Sequence, residues 1–133
     1  DNEVMIEEYI NGEEITSFVL NGEVFPTVML KSQNGEFFDY KSKYEENGAK
    51  EEVVLLEKKL QDKINNISKK VWAILGCNSY ARIDMIIRDE VPYLLEVNTL
   101  PGMTTQSLIP KSAKVRGLEF SDLLDKIIEY SLF

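Results

Sequence analysis

The feature that most constrains this chain is the stretch 81–98, ARIDMIIRDEVPYLLEVN, in which two apolar runs flank the short break Asp89-Glu90-Val91. Side chains alternate faces along a strand. Arg82 and Asp84 therefore share one face of the first run, and Ala81, Ile83, Met85 and Ile87 take the other. In the second run Leu94, Glu96 and Asn98 share a face, opposite Tyr93, Leu95 and Val97. A hairpin closed through the three residues 89–91 sets Asp84 opposite Glu96 and Arg82 opposite Asn98, at Cβ separations of about 4.5–5.5 Å. Opposed like charges repel, and an unpaired charge in an apolar strand is costly. Arg82 or Arg88 could answer Asp84, with a lysine elsewhere for Glu96. A divalent cation could answer both, because two carboxylates and an Asn amide make the all-oxygen set that Mg²⁺ accepts. The residues alone leave both readings open.

The rest of the chain supplies partners for this hairpin. Residues 4–10 alternate loosely and predict a strand, punctuated by Asn11-Gly12. Residues 15–20 predict a second strand and 24–30 its return, joined at Asn21-Gly22, a pair that tolerates positive φ. A turn at 33–35 and a short strand at 37–40 follow, then a polar surface loop over 41–52. From about Val53 the period changes: Val53, Leu56, Leu60, Ile64, Ile67, Val71, Ile74 and Leu75 recur at three and four residues. That spacing marks an amphipathic helix, and Gly76 supplies its stop. Residues 98–106 read as a loop rich in turn formers, and 108–116 as a short helix closed by Gly117. Ser121 is the expected N-cap of a last helix carrying Leu123, Leu124, Ile127 and Ile128 on one side. Together these elements predict an α+β fold, an antiparallel sheet with helices packed on one face.

Composition narrows the function. At 133 residues with 44% apolar side chains, the chain is long enough for one real core, and residues 1–133 are expected to form a single domain. A net charge of −8 repels phosphate backbones and excludes a nucleic-acid binder, though not a nucleotide held through metal ions. No apolar run approaches the roughly 18 residues of a membrane span, and the start, Asp1-Asn2-Glu3, does not resemble a signal peptide. Since that start also lacks Met, the chain is expected to be a piece of a longer protein. The lone Cys77 cannot form an internal disulfide and fits a reducing, cytoplasmic setting, where it is expected to serve as a small buried hydrophobe. With no histidine, neither Ser-His-Asp catalysis nor a His-ligated zinc is available.

The motifs RID at 82–84, LLEVNTLPGMT at 94–104 and SLIP at 107–110 follow VMIEEYINGEEIT at 4–16 and FFDYKSKY at 37–44. In that order and spacing they resemble the D-alanine–D-alanine ligase family of the ATP-grasp superfamily, across nearly the whole chain. The resemblance implies the C-terminal half of an ATP-grasp fold, with the N-terminal and central domains of a bacterial, cytoplasmic enzyme absent. Such enzymes phosphorylate the carboxylate of a first D-alanine with ATP. The amine of a second D-alanine then attacks the acyl phosphate, giving the dipeptide of peptidoglycan precursors.

Carried onto this sequence, the resemblance implies that Asp84, Glu96 and Asn98 hold two Mg²⁺ (or Mn²⁺) ions, with Glu96 bridging them. Arg82 would stabilise the acyl phosphate and the tetrahedral intermediate. The N–H of Gly102 and the hydroxyl of Ser107 would bind the carboxylate of the second D-alanine; apart from the family, Ser107 is a plain helix N-cap. Glu14 would meet the ribose, and Glu7 with the backbone at Tyr9 and Ile10 the adenine. Lys43 would reach the terminal phosphate and Tyr44 would orient the substrates, from a loop whose remainder, EENGAKEE, is more polar than the family pattern. A homodimer is a further implication, and the piece alone is expected to show no turnover. The rivals are another ATP-grasp carboxylate–amine ligase, sharing the metal ligands only, and a non-catalytic dimerisation or regulatory module that keeps the fold.

Overall fold

The structure, a computed structural model, describes residues 3–31, 50–54 and 56–132. Its elements are β1 (Glu13–Leu20), β2 (Glu23–Val24), β3 (Val28–Lys31), β4 (Lys50–Val53), α1 (Lys58–Ile74), β5 (Tyr80–Arg88), β6 (Val91–Asn98), α2 (Leu108–Val115) and α3 (Phe120–Ser131). The strands lie in the order β4-β3-β1-β5-β6, with β2 paired to β1 off this path, and every pairing is antiparallel. The α+β class follows as predicted. Among the described residues no helix is long and apolar enough to cross a membrane.

Alternation along β1 assigns the two sides of the sheet. Ile15 and Val19 join Ile83, Met85 and Ile87 in one cluster, which α1 covers with Ile64, Leu60, Ile67 and Val71. Buried Ser68 of α1 donates to Ser17 on the same side at 3.0 Å. Phe18 and Leu20, offset by one residue, join Phe25, Ile109 and Ala113 of α2 and Leu123 of α3 in a second cluster. Helices therefore cover both faces and not the single face expected, α1 on one and α2 with α3 on one end of the other, because Phe18 and Leu20 leave an apolar patch opposite α1. The remainder of that second face, at Thr16, Arg82 and Asp84, has no helix in either cluster.

Several local expectations hold. Asn21 and Gly22 take φ of 47° and 78°, the two-residue turn their chemistry favours, and Leu20 pairs with Glu23 across it. Gly76 and Gly117, at φ of 61° and 75°, stand just past α1 and α2.

Others are corrected. Residues 4–10 form no strand, and Val4, Met5 and Ile6 are 84%, 82% and 91% exposed. An alternating pattern becomes a strand only where a neighbour completes its ladder, and β1 is already flanked by β3 and β5. The return strand is split into β2 and β3 around Phe25-Pro26-Thr27, where Pro26 has no N–H to donate to a ladder. The expected loop 41–52 ends in β4, whose polar residues pair with β3 at the sheet edge. That pairing delays α1 to Lys58, so Val53 belongs to the sheet. Ile74 and Leu75 extend the helical period but lie beyond the sheet's cover, 80% and 59% exposed. The last helix begins at Phe120 with Glu119 in the cap position, two residues before the expected Ser121. Cys77 is half-buried instead of buried. The turn at 33–35 and the strand at 37–40 lie outside the described residues.

Gly12 enters β1 against the end of β5. A Cβ built there would sit 2.2 Å from the Ile87 carbonyl oxygen and 2.6 Å from Ile86 Cγ2. Backbone oxygen cannot swing aside as a flexible side chain can. Gly12→Ala is expected to lower stability by about 2 kcal/mol or more, the upper part of the overpacking range. Urea unfolding checks this, and a change within about 0.5 kcal/mol would show that the two strands part easily here.

Candidate functional site

The hairpin of β5 and β6 closes through two residues, Asp89 and Glu90, and not through the three expected. Both have positive φ, 53° and 58°, the geometry of a tight hairpin turn matched to strand twist. Lys63 of α1 donates to the Glu90 carbonyl at 2.8 Å. Arg88 donates to the Tyr93 hydroxyl at 3.0 Å and lies over its ring, and this hydrogen bond holds the guanidinium pKa above its usual value. The register from this turn pairs Met85 with Leu94 but then shifts, leaving Leu95 unmatched, so that Asp84 faces Glu96 and Arg82 faces Asn98. The bulge supplies the residue that the shorter turn omits. The acids meet as predicted, while Leu94 falls opposite Met85 and off the face of Glu96.

Asp84 is nearly buried, 6% exposed, and its carboxylate is held from two directions. Arg82 Nε donates to Oδ1 and Oδ2 at 3.1 and 3.0 Å, and its Nη2 reaches Oδ2 at 2.7 Å. Thr16, directly across on β1, donates its hydroxyl to Oδ1 at 2.7 Å. Arg82 Nη2 also lies 3.9 Å from Glu96 Oε1, whose side chain remains 65% exposed. One guanidinium thus stands between two carboxylates, close to the first and loose on the second. The arginine that could merely balance Asp84 does so in this state.

A hard divalent cation such as Mg²⁺ takes oxygen ligands. Among the described residues no group of three Cys, Asp or Glu side chains is placed to hold a metal, so the set reaches three ligands only with the Asn98 amide. Asn98 Oδ1 already accepts the Leu100 N–H at 3.0 Å, which leaves its second lone pair free. Glu96 is accessible, whereas the Asp84 carboxylate is nearly buried and engaged by the Arg82 guanidinium. The residues fit an oxygen-liganded Mg²⁺ that keeps waters and phosphate oxygens in its remaining positions.

Just beyond β6, the loop ahead of α2 folds on itself. Ser107 Oγ accepts the Thr104 N–H at 3.0 Å and lies 3.0 Å from the Thr104 hydroxyl. A Cβ on Gly102 would lie 3.6 Å from that same Oγ, so Gly102 and Ser107 are neighbours. Ser107 has the backbone of an N-cap but its side chain makes no cap bond to α2.

Residues 1–129 match a family profile described as D-ala D-ala ligase C-terminus. The chain belongs to the D-alanine–D-alanine ligase family. It is 53% identical over 133 residues to D-alanine–D-alanine ligase B of Clostridium perfringens (strain 13), covering 99% of this chain and 44% of that protein. The ligase of Clostridium botulinum (strain Hall) is 48% identical over 132 residues, with the same coverages. Among solved structures, the ligase of Bacillus anthracis complexed with ATP superposes with a TM-score of 0.83 at 44% identity, over 95% of this chain and 40% of that one. The VanG D-Ala:D-Ser ligase of Enterococcus faecalis gives a TM-score of 0.77 at 32% identity, over 92% and 37%. The chain therefore spans less than half the length of these relatives, as their C-terminal part.

Against this family frame, Arg82, Asp84, Glu96 and Asn98 are gathered on one face of one hairpin. Glu14 lies on the same side of β1 as Thr16, two residues nearer its start and half-buried. Glu7 and Tyr9 are exposed and Ile10 half-buried, all in the irregular segment before β1. Lys43 and Tyr44 lie outside the described residues. The residue that sequence reasoning missed is Thr16. It sits in the GEEIT motif, but nothing local announces that this strand pairs with one that begins 60 residues beyond it.

Removing Arg82 alone would leave a nearly buried carboxylate with one hydroxyl partner. Arg82→Met is expected to destabilise the fold by about 3 kcal/mol, the low end for breaking a buried pair. Adding Asp84→Asn should recover most of that loss, because the buried charge goes too. Additive losses in urea unfolding of the two single variants and the double variant would show that the ion pair does not hold this face together.

Proposed function

We propose that the protein carrying this chain joins two D-alanines at the expense of ATP, for peptidoglycan precursors in the bacterial cytoplasm. The observation that carries this reading is the meeting of Asp84, Glu96 and Arg82 on one sheet face in a chain of this family. The N-terminal and central domains come from the part of the protein corresponding to the remaining length of its relatives. They close the other side of the nucleotide site, and this chain alone has no turnover.

Asp84, Glu96 and Asn98 would hold Mg²⁺, whose charge neutralises phosphate oxygens during transfer. Transfer of the terminal phosphoryl group to the carboxylate of the first D-alanine releases ADP. The amine of the second D-alanine then attacks the acyl carbon, and phosphate departs. Arg82 brings a planar fork of donors and a permanent charge, suited to the oxygens of the acyl phosphate and the tetrahedral intermediate. For that role its guanidinium must turn from Asp84. Gly102 N–H and the Ser107 hydroxyl, already neighbours, bind the carboxylate of the second D-alanine. Glu14 meets the ribose, and Glu7 with the backbone of Tyr9 and Ile10 the adenine. Lys43 would reach the terminal phosphate, and Tyr44 would orient the substrates. Tyr44 together with Ser107-Leu108-Ile109-Pro110 favours D-alanine as second substrate.

The complete protein is expected to release phosphate from ATP only when D-alanine is supplied. Glu96→Gln should lower kcat by about 10²–10³-fold, the scale of losing one main electrostatic stabiliser. Preference for D-serine over D-alanine would overturn the substrate assignment. Unchanged turnover in Glu96→Gln would overturn the assignment of the site.

A further inference from the structure

Asp84 has two kinds of partner, and they differ in permanence. Arg82 reaches it along the same strand with a long side chain, 20% exposed, that also leans toward Glu96. A cation seated on Oδ2 must displace the Nη2 and Nε contacts to that oxygen. Thr16 comes from the neighbouring strand and is only 2% exposed. Its backbone is fixed on both sides, paired with Asp84 of β5 and Val28 of β3. Its β-branched side chain has few rotamers to leave for. Its hydroxyl lies 2.7 Å from Oδ1, where O–H donation to a carboxylate is strong.

We propose that Thr16 is a positioning residue for the Asp84 carboxylate: it keeps Oδ1 when Arg82 turns away and leaves Oδ2 presented to the divalent cation. The assignment rests on the cation reading made above for Asp84, Glu96 and Asn98. It adds a division of labour between the two partners. Arg82 compensates the charge of Asp84 before the cation arrives, and Thr16 fixes the plane of the carboxylate afterwards. An aspartate without that anchor could rotate about its terminal torsion, which is broad and roughly two-fold. It would then lose the orientation needed to share an ion with Glu96. Partners of this kind typically change metal affinity by about 10–100-fold when removed.

The test titrates the complete ligase with Mn²⁺ in the presence of a non-hydrolysable ATP analogue, following free Mn²⁺ by electron paramagnetic resonance. Thr16→Val removes the hydroxyl at nearly constant volume and is expected to weaken Mn²⁺ binding by about 10-fold or more. Thr16→Ser keeps the donor and should stay within about 3-fold of wild type, the rescue that a purely structural role would not require. Thr16→Ala gives the same comparison if the valine variant does not fold. Thermal midpoints recorded in parallel separate lost stability from lost affinity. Unchanged Mn²⁺ affinity in folded Thr16→Val or Thr16→Ala, alongside loss of binding in Asp84→Asn, would falsify the role of Thr16 and leave the cation site standing. Binding that survives both Asp84→Asn and Glu96→Gln overturns the cation site, and the role of Thr16 with it.

Discussion

The ladder between β1 and β5 carries the rest of the structure. Its register runs without a break from Glu13 opposite Ile87 to Leu20 opposite Tyr80, at the centre of the sheet. One set of alternating side chains, with Ile15, Val19, Ile83 and Met85, gives α1 a surface to cover. The other set divides along its length. Phe18 and Leu20 are apolar and take α2 and α3, whereas Thr16 and Asp84 are polar and hydrogen-bonded to each other. A slip of one residue would carry Asp84 into the apolar cluster under α1 and Met85 onto the site face. The cost of burying that carboxylate among Ile15, Ile64 and Ile83 helps to exclude the slipped register.

The second constraint is electrostatic. Two carboxylates opposed across β5 and β6 need a positive charge, and in this state Arg82 supplies it to Asp84 with three contacts of 3.1 Å or less. The bulge at Leu95 makes the opposition possible, since the tight Asp89-Glu90 turn alone would have set Asp84 opposite Leu95. A bulge next to a cluster of charged groups re-aims a strand locally without disturbing the ladder on either side. The same hairpin then runs directly into the loop where Gly102 and Ser107 lie together, so the residues proposed to hold the cation and those proposed to bind the carboxylate are carried by one continuous segment. Sites built on strands hold their geometry better than sites built on loops alone.

Much of this was legible because it is local. The period of Leu60, Ile64, Ile67 and Val71 marked α1, and Asn21-Gly22 marked its hairpin, since a helix face and a tight turn depend on residues within one or two turns of each other. The failures were non-local. Residues 4–10 alternate like a strand, yet no ladder accepts them; residues 50–53 are polar like a loop, yet β3 offers an edge. Asp84 opposite Glu96 was anticipated through a three-residue turn, whereas a two-residue turn and a compensating bulge produce it. Two errors of one residue cancelled, because the apolar alternation on each side constrains the sum of turn and bulge more tightly than it constrains either.

The sequence by itself determined which chemistry is present: the acids and amide at 84, 96 and 98, the arginine two residues before the first of them, the glycine and serine after them, and the family to which their order belongs. Those facts are written in residue type and short spacing. Only the tertiary structure decided how Asp84 is held. Its partners are Arg82, two residues away, and Thr16, sixty-eight residues away, and no local pattern distinguishes a threonine facing an acid from one facing solvent. The distinction arises when β1 docks beside β5, because hydrogen bonds between strands are set by register, and register is a property of the assembled sheet.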